Sequence, residues 1–267
     1  MLRFTNNNIR ILVGDPDAPK EYLIYAFQIV DRSRFFRNAL SHDWKEATER
    51  TIKFPEGDPE TFERYLSMVL TDTIAIGEEL DKDSEHQREH VQDEVRRRYL
   101  QLVELFVLCD KLQDTEGMNS VIDALLEQLD TGYLIVKNVA GHTQSDANSS
   151  SPSDLEHRKR RRTYVAPTYR VINLIYSNTA GPRSIRRLVL DLWTAFPGFL
   201  AKTLGKKVEL NYEFLLDLAK RLAEHAYQDS KVRPCRPRDL CPKDYYEDEH
   251  VSQAAEESGS AKKTKTT

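Results

Sequence analysis

Residues 22–36 read Tyr22-Leu-Ile-Tyr-Ala-Phe-Gln-Ile-Val-Asp-Arg-Ser-Arg-Phe-Phe36. The run Tyr22 to Tyr25 favours a strand. Ser33 is a natural N-cap for a helix through Leu40, with Phe36, Ala39 and Leu40 on one face at i, i+3 and i+4. Upstream, Ile9, Ile11 and Val13 alternate with Arg10 and Leu12, and Gly14-Asp15-Pro16-Asp17 supplies turn chemistry, which makes a strand, a turn and a strand. Downstream, residues 51–54 (Thr-Ile-Lys-Phe) predict a third strand. Asp58-Pro59-Glu60 then sets an N-cap, a proline at the first helical position and an acid in the first turn. Phe62, Tyr65, Leu66 and Val69 follow at helical spacing.

Further on, residues 77–97 are mostly charged and predict a solvated insertion or an exposed helical approach. Leu102, Leu105, Phe106, Cys109 and Leu112 form one amphipathic stripe, and Met118, Val121, Ile122, Leu125, Leu126 and Leu129 form another. Joined by Asp114-Thr-Glu-Gly117, these stripes predict an antiparallel helix pair. Residues 141–163 are rich in Ser and end in a basic run, a composition that cannot bury enough apolar surface to order, so they read as the main linker. Three more helices are expected within 164–228, around Tyr169 to Tyr176, Ile185 to Phe196 and Phe214 to Leu222, and residues 229–267 read as a disordered tail.

The 267 residues suffice for one large domain or two small ones. A net charge of -4 argues against broad phosphate contacts, so no direct nucleic-acid partner is expected. Neither Cys2His2 finger spacing nor a basic region leading into heptads occurs. Three scattered cysteines fit a reducing compartment. No apolar signal core and no stretch of bilayer-crossing length occur, so a soluble chain of the cytoplasm, the nucleus or both is expected, with no membrane partner.

Strand, strand, short helices, strand, helix and helix pair make a mixed α+β order, a small sheet capped by helices. The 22–36 stretch resembles the BTB/POZ signature, in which an aromatic or aliphatic strand runs into a helix, then a serine, then paired aromatics. The resemblance continues through Trp44-Lys-Glu-Ala-Thr-Glu, the strand at 51–54, Pro55-Glu-Gly-Asp-Pro-Glu-Thr-Phe-Glu63 and Leu102-Val-Glu-Leu-Phe-Val-Leu-Cys-Asp-Lys-Leu112. The chain is similar to the fungal branch of that family, and Tyr176-Ser-Asn-Thr-Ala with Ile185-Arg-Arg-Leu-Val-Leu-Asp191 resembles the helical segment that follows there. The chain departs from the family at Tyr25, where a histidine is usual, and at Val69-Leu-Thr-Asp-Thr73, where a Tyr-Thr-Gly turn is usual.

The resemblance implies a BTB/POZ domain over residues 1–133, followed by an all-α carboxy-terminal segment. It also implies a function in binding proteins, without catalysis and without a cofactor. In members that recruit a cullin scaffold, a hydrophobic residue, any residue and a glutamate precede the third strand. Trp44 and Glu46 stand there, the ring as anchor and the acid at the rim, which implies a substrate adaptor for a cullin-RING ubiquitin ligase. Self-association in the family uses the first strand and first helices, which places Ile9, Ile11, Phe27, Ile29 and Val30 at a symmetric interface. That reading makes the chain a homodimeric scaffold or nuclear regulator with no ligase link. Arg158, Lys159, Arg160, Arg161 and Arg162 form an exposed cationic run of the kind read by nuclear-import receptors. No phosphate loop, HExxH or nucleophile elbow is present, and His42-Asp43 has no partner base. Cys235, Cys241 and His250 match no zinc spacing.

Overall fold

The structure is a computed structural model that describes residues 8–41, 45–77, 88–142, 166–195, 200, 203, 205, 208–227 and 240–247. It is a mixed α+β arrangement. Strand β1 (Asn8–Val13) turns into β2 (Lys20–Tyr25). Gly14 lies at φ +94°, and the Asp15 carboxylate accepts from the Asp17 amide at 2.9 Å, which closes the turn. Three short helices follow, α1 (Phe27–Val30), α2 (Arg34–Ser41) and α3 (Lys45–Glu49), before β3 (Thr51–Phe54). β1 pairs antiparallel with β2 and parallel with β3, so β1 is central and β2 and β3 are the edges.

Side-chain alternation sorts this sheet into two faces. Ile9, Ile11 and Val13 of β1 and Ile52 of β3 are buried under the helices. Helix α4 (Pro59–Thr71) begins where the sequence sets it: the Asp58 carboxylate accepts from the Thr61 amide at 2.8 Å and the Thr61 hydroxyl at 2.7 Å. Burial alone would raise the Asp58 pKa, but these Thr61 bonds, together with Arg64 and the Glu60 amide, hold the carboxyl below its ordinary value. At α2, the predicted cap is also formed, with the Phe36 amide donating to Ser33 Oγ at 3.2 Å. The Ser33 hydroxyl meanwhile donates to the Leu112 carbonyl at 2.7 Å, tying α2 to the end of the long helix α5 (Arg88–Lys111).

Helices α5 and α6 (Thr115–His142) form the expected antiparallel pair, with three differences from the sequence reading. Of the two alternatives for 77–97, residues 88–97 take the helical approach, as the start of α5, but not a wholly exposed one, since Val95 is fully buried. The connection is tighter than Asp114 to Gly117: Gln113 takes a left-handed φ of 53°, and Asp114 caps α6 by accepting from the Gly117 amide at 2.7 Å. Lastly, α6 runs past residue 133 to His142, beyond the expected domain end and into the expected linker.

The carboxy-terminal helices are α7 (Tyr169–Asn178), α8 (Ser184–Ala195) and α9 (Tyr212–Tyr227), close to their predicted places. Phe214 sits edge-on to Trp193 at 5.1 Å and to Tyr176 at 5.4 Å, and α7 lies against α5. All three helices share one continuous apolar core with the amino-terminal part. The expected tail is corrected in part, because residues 240–247 carry a 3-10 turn (Pro242–Tyr245) packed on α6 and α8, with Tyr245 and Glu247 buried. The basic run Arg158, Lys159, Arg160, Arg161 and Arg162 lies outside the described residues.

Candidate functional site

β2 is an edge strand whose residues alternate between core and solvent. Tyr22 and Ile24 turn inward to pack against the core. The Tyr22 hydroxyl donates to the Pro59 carbonyl at 3.2 Å and to Glu63 Oε1 at 3.1 Å. Burial first, and Glu63 second, push that phenol above its ordinary pKa, so it stays a donor. The inward half of β2 is therefore fixed to the start of α4. Glu63 is held below its ordinary value by Lys20 first, which joins the same cluster as an ion pair.

The outward half leaves large apolar side chains in water: Leu23 is 65% exposed, Tyr25 54% and Phe27, at the start of α1, 58%. Tyr25 and Phe27 stack on each other, with ring centroids 5.8 Å apart and planes at 29°. An aromatic pair beside an edge strand supplies anchors of large area at small entropic cost, and the edge offers unpaired backbone groups for a further strand. Arg10 and Glu21 border the patch as an ion pair at 2.9 Å, which gives it a charged rim.

The structure redistributes the residues expected at a dimer interface. Ile9, Ile11 and Ile29 are fully buried in the core of a single chain, so they cannot present their side chains to a second one. Val30 is partly buried against the same core. Phe27 alone of the five stands free, and the sequence reading missed Leu23 and Tyr25 as its neighbours. Their signal was the strict alternation of β2, which puts Leu23 and Tyr25 on the face opposite Tyr22 and Ile24.

Glu46 sits in the first turn of α3, half-buried, rather than on a loop. Trp44 and the pair His42-Asp43 lie outside the described residues. Among the cysteines, Cys109 is buried, with its thiol pushed up in pKa by burial, and Cys241 is exposed and free. Cys235 and His250 are outside the described residues, and among the described residues no group of three metal-ligating side chains comes together. Nor is any described helix long and apolar enough to cross a membrane.

A second polar cluster lies within the core. Asp114 is wholly buried, with Arg32 Nε 3.5 Å from its Oδ2 and the Gly117 amide on its Oδ1. Burial raises the Asp114 pKa, against the opposing pull of the Gly117 bond and Arg32. The cluster joins the segment before α2 to the α5–α6 turn, and its geometry is that of a structural clasp. Compared with models of protein families and with curated proteins, the chain matches none.

Proposed function

We propose that this chain is a BTB/POZ-type protein-interaction module that acts by binding other proteins and not by catalysis. The observation that carries the reading is the exposed row Leu23, Tyr25 and Phe27 on an edge strand and the helix after it. Contiguous exposed apolar side chains rimmed by charge are a signature of protein recognition. The motif resemblance supplies the family. A hairpin whose first strand also pairs in parallel with a third, followed by a helix and a long antiparallel helix pair, is compatible with it.

Within this reading the chain serves as a substrate adaptor for a cullin-RING ubiquitin ligase, contacting the scaffold through Trp44 and Glu46. Glu46 supports this by standing at the start of a helix with its neighbour Lys45 exposed, at the surface beside β3. Tagged capture with mass spectrometry, on the native chain and on a folded Trp44→Ala, Glu46→Ala variant, tests it. A cullin captured by the first and lost by the second is the expected outcome; no cullin with either removes the adaptor role.

A homodimeric scaffold is the second reading, favoured by the stacked Tyr25–Phe27 pair at the sheet edge. Light scattering over a concentration series decides it. A mass of two chains that falls to one in Tyr25→Ser, Phe27→Ser supports self-association, and one chain throughout ends it.

A further inference from the structure

Residues 240–247 lie in a groove between α6 and the start of α8, held by a set of complementary polar contacts. The Tyr245 hydroxyl donates to Asp191 Oδ2 at 2.9 Å, and the Tyr246 hydroxyl to Asp123 Oδ1 at 2.9 Å. The Glu247 amide donates to Asn119 Oδ1 at 2.8 Å, while its carboxylate accepts from the Ser184 amide at 2.9 Å, on the first residue of α8. The Ser184 hydroxyl donates to the Tyr246 carbonyl at 3.2 Å. Arg187 donates to the Asp244 carbonyl and lies over the Tyr245 ring at 5.4 Å. The groove thus reads two successive tyrosines and a following acid.

Its built-in occupant leaves part of the groove unused. Arg183 Nη2 donates to Asp110 Oδ1 at 2.8 Å, but Nη1 stands 3.8 Å from Glu247 Oε2, and Nη1 and Nε are buried without a hydrogen bond. A guanidinium beside a helix amino terminus is a receptor for a carboxylate, and charge-assisted bonds are the strong ones. Here a better-placed acid would gain two donors that Glu247 does not reach. The segment that fills the groove, residues 240–247, carries Tyr245, Tyr246 and the acids Asp244 and Glu247; Asp191 and Asp123 of the groove take the two phenols, and Arg183 stands beside the Glu247 carboxylate.

We propose that this groove is a recognition site for acidic, tyrosine-bearing segments of a partner protein, and that residues 240–247 are its resident competitor. The partner segment binds when the resident one leaves, so its apparent affinity is its intrinsic affinity scaled by the fraction of chains with the groove open. None of β2, α1 or α3 takes part, so failure here leaves the reading above untouched, and the reverse.

The test uses the full chain and a fluorescein-labelled peptide of residues 242–249, read by anisotropy. In a Tyr245→Ala, Glu247→Ala variant that folds by circular dichroism, the peptide binds about tenfold or more tightly than to the native chain. Adding Asn119→Ala and Arg183→Ala to that variant removes the binding. Should the double variant not fold, Glu247→Gln, which keeps the side-chain shape, gives the same ordering against the native chain. Equal binding to native and released chains, no binding to either, or binding indifferent to Asn119 and Arg183 overturns the proposal. Unlabelled native chain added as competitor leaves the peptide bound; displacement would assign the groove to a second copy of this chain and contradict a partner segment.

Discussion

Gly117 shows how closely the α5–α6 turn is fitted. A Cβ there would stand 2.8 Å from Asp114 Oδ2 and 2.9 Å from Cys109 Sγ, both buried. Neither atom belongs to a flexible surface chain that can swing away. Gly117→Ala should therefore cost about 1–3 kcal/mol, the range for overpacking a filled interior, although alanine is the better helix former. Urea denaturation of the two chains measures it, and an unchanged or raised midpoint would show that the turn has slack. The same scale explains what happened to the expected interface residues. Ile9, Ile11 and Ile29 are apolar on faces that the fold needs for its core, and burying a side chain of that size is worth roughly 1.5–3 kcal/mol. Burial therefore takes them first. Leu23, Tyr25 and Phe27 are left over because alternation along β2 and the start of α1 turns them away.

Among the elements, those most legible in the sequence were those with a local chemical signature. Ser33 before α2 and Asp58-Pro59 before α4 each carry a cap whose partner lies three residues on, so no distant information was needed. The Asp58 cap yields a prediction with a sign. Its carboxyl is held lower in the folded chain than in the unfolded one, so the cap's contribution is present above the unfolded pKa and is lost as pH falls through the folded one. Asp58→Ala should cost about 1 kcal/mol at neutral pH. In denaturation at successive pH values, the gap between the two chains should narrow toward acid; a constant gap would show that the charge on Asp58 plays no part. The start of α5 was legible only as one of two alternatives, because among the residues 92–97 whose burial is described Val95 is the one buried apolar position. There the helix is supported by ion pairs one turn apart, Asp93 with Arg96 and Glu94 with Arg97 and Arg98. The docked segment at 240–247 was illegible for a different reason: its anchors Asn119 and Asp123 lie more than a hundred residues earlier, and nothing periodic marks it.

At the scale of the whole molecule, the helices α7 to α9 share one core with α5 and α6 rather than forming a segment that moves apart. Arg183 ties the end of α5 to the start of α8 through Asp110, and Glu247 bonds the first amide of α8. Burial raises the Glu247 pKa against the opposing Ser184 bond. The molecule therefore carries the Leu23, Tyr25 and Phe27 patch on a body fixed at both ends, which is how a rigid binding surface is built; a further set of exposed apolar side chains, Tyr212, Leu215, Leu216 and Leu222, lies on α9. On the proposed function, Leu23, Tyr25 and Phe27 form the surface that recognises other proteins.

The most direct measurement is quantitative tagged capture from the source cell, comparing the native chain with Leu23→Ser, Tyr25→Ser, Phe27→Ser at matched expression and matched thermal midpoint. All three side chains are exposed, so the variant should fold as the native chain does. The account predicts partners held by the native chain and depleted about tenfold or more from the variant, the effect of losing roughly 1.4 kcal/mol or more of contact. Identical partner sets at equal yield would contradict it and move the binding function away from this face.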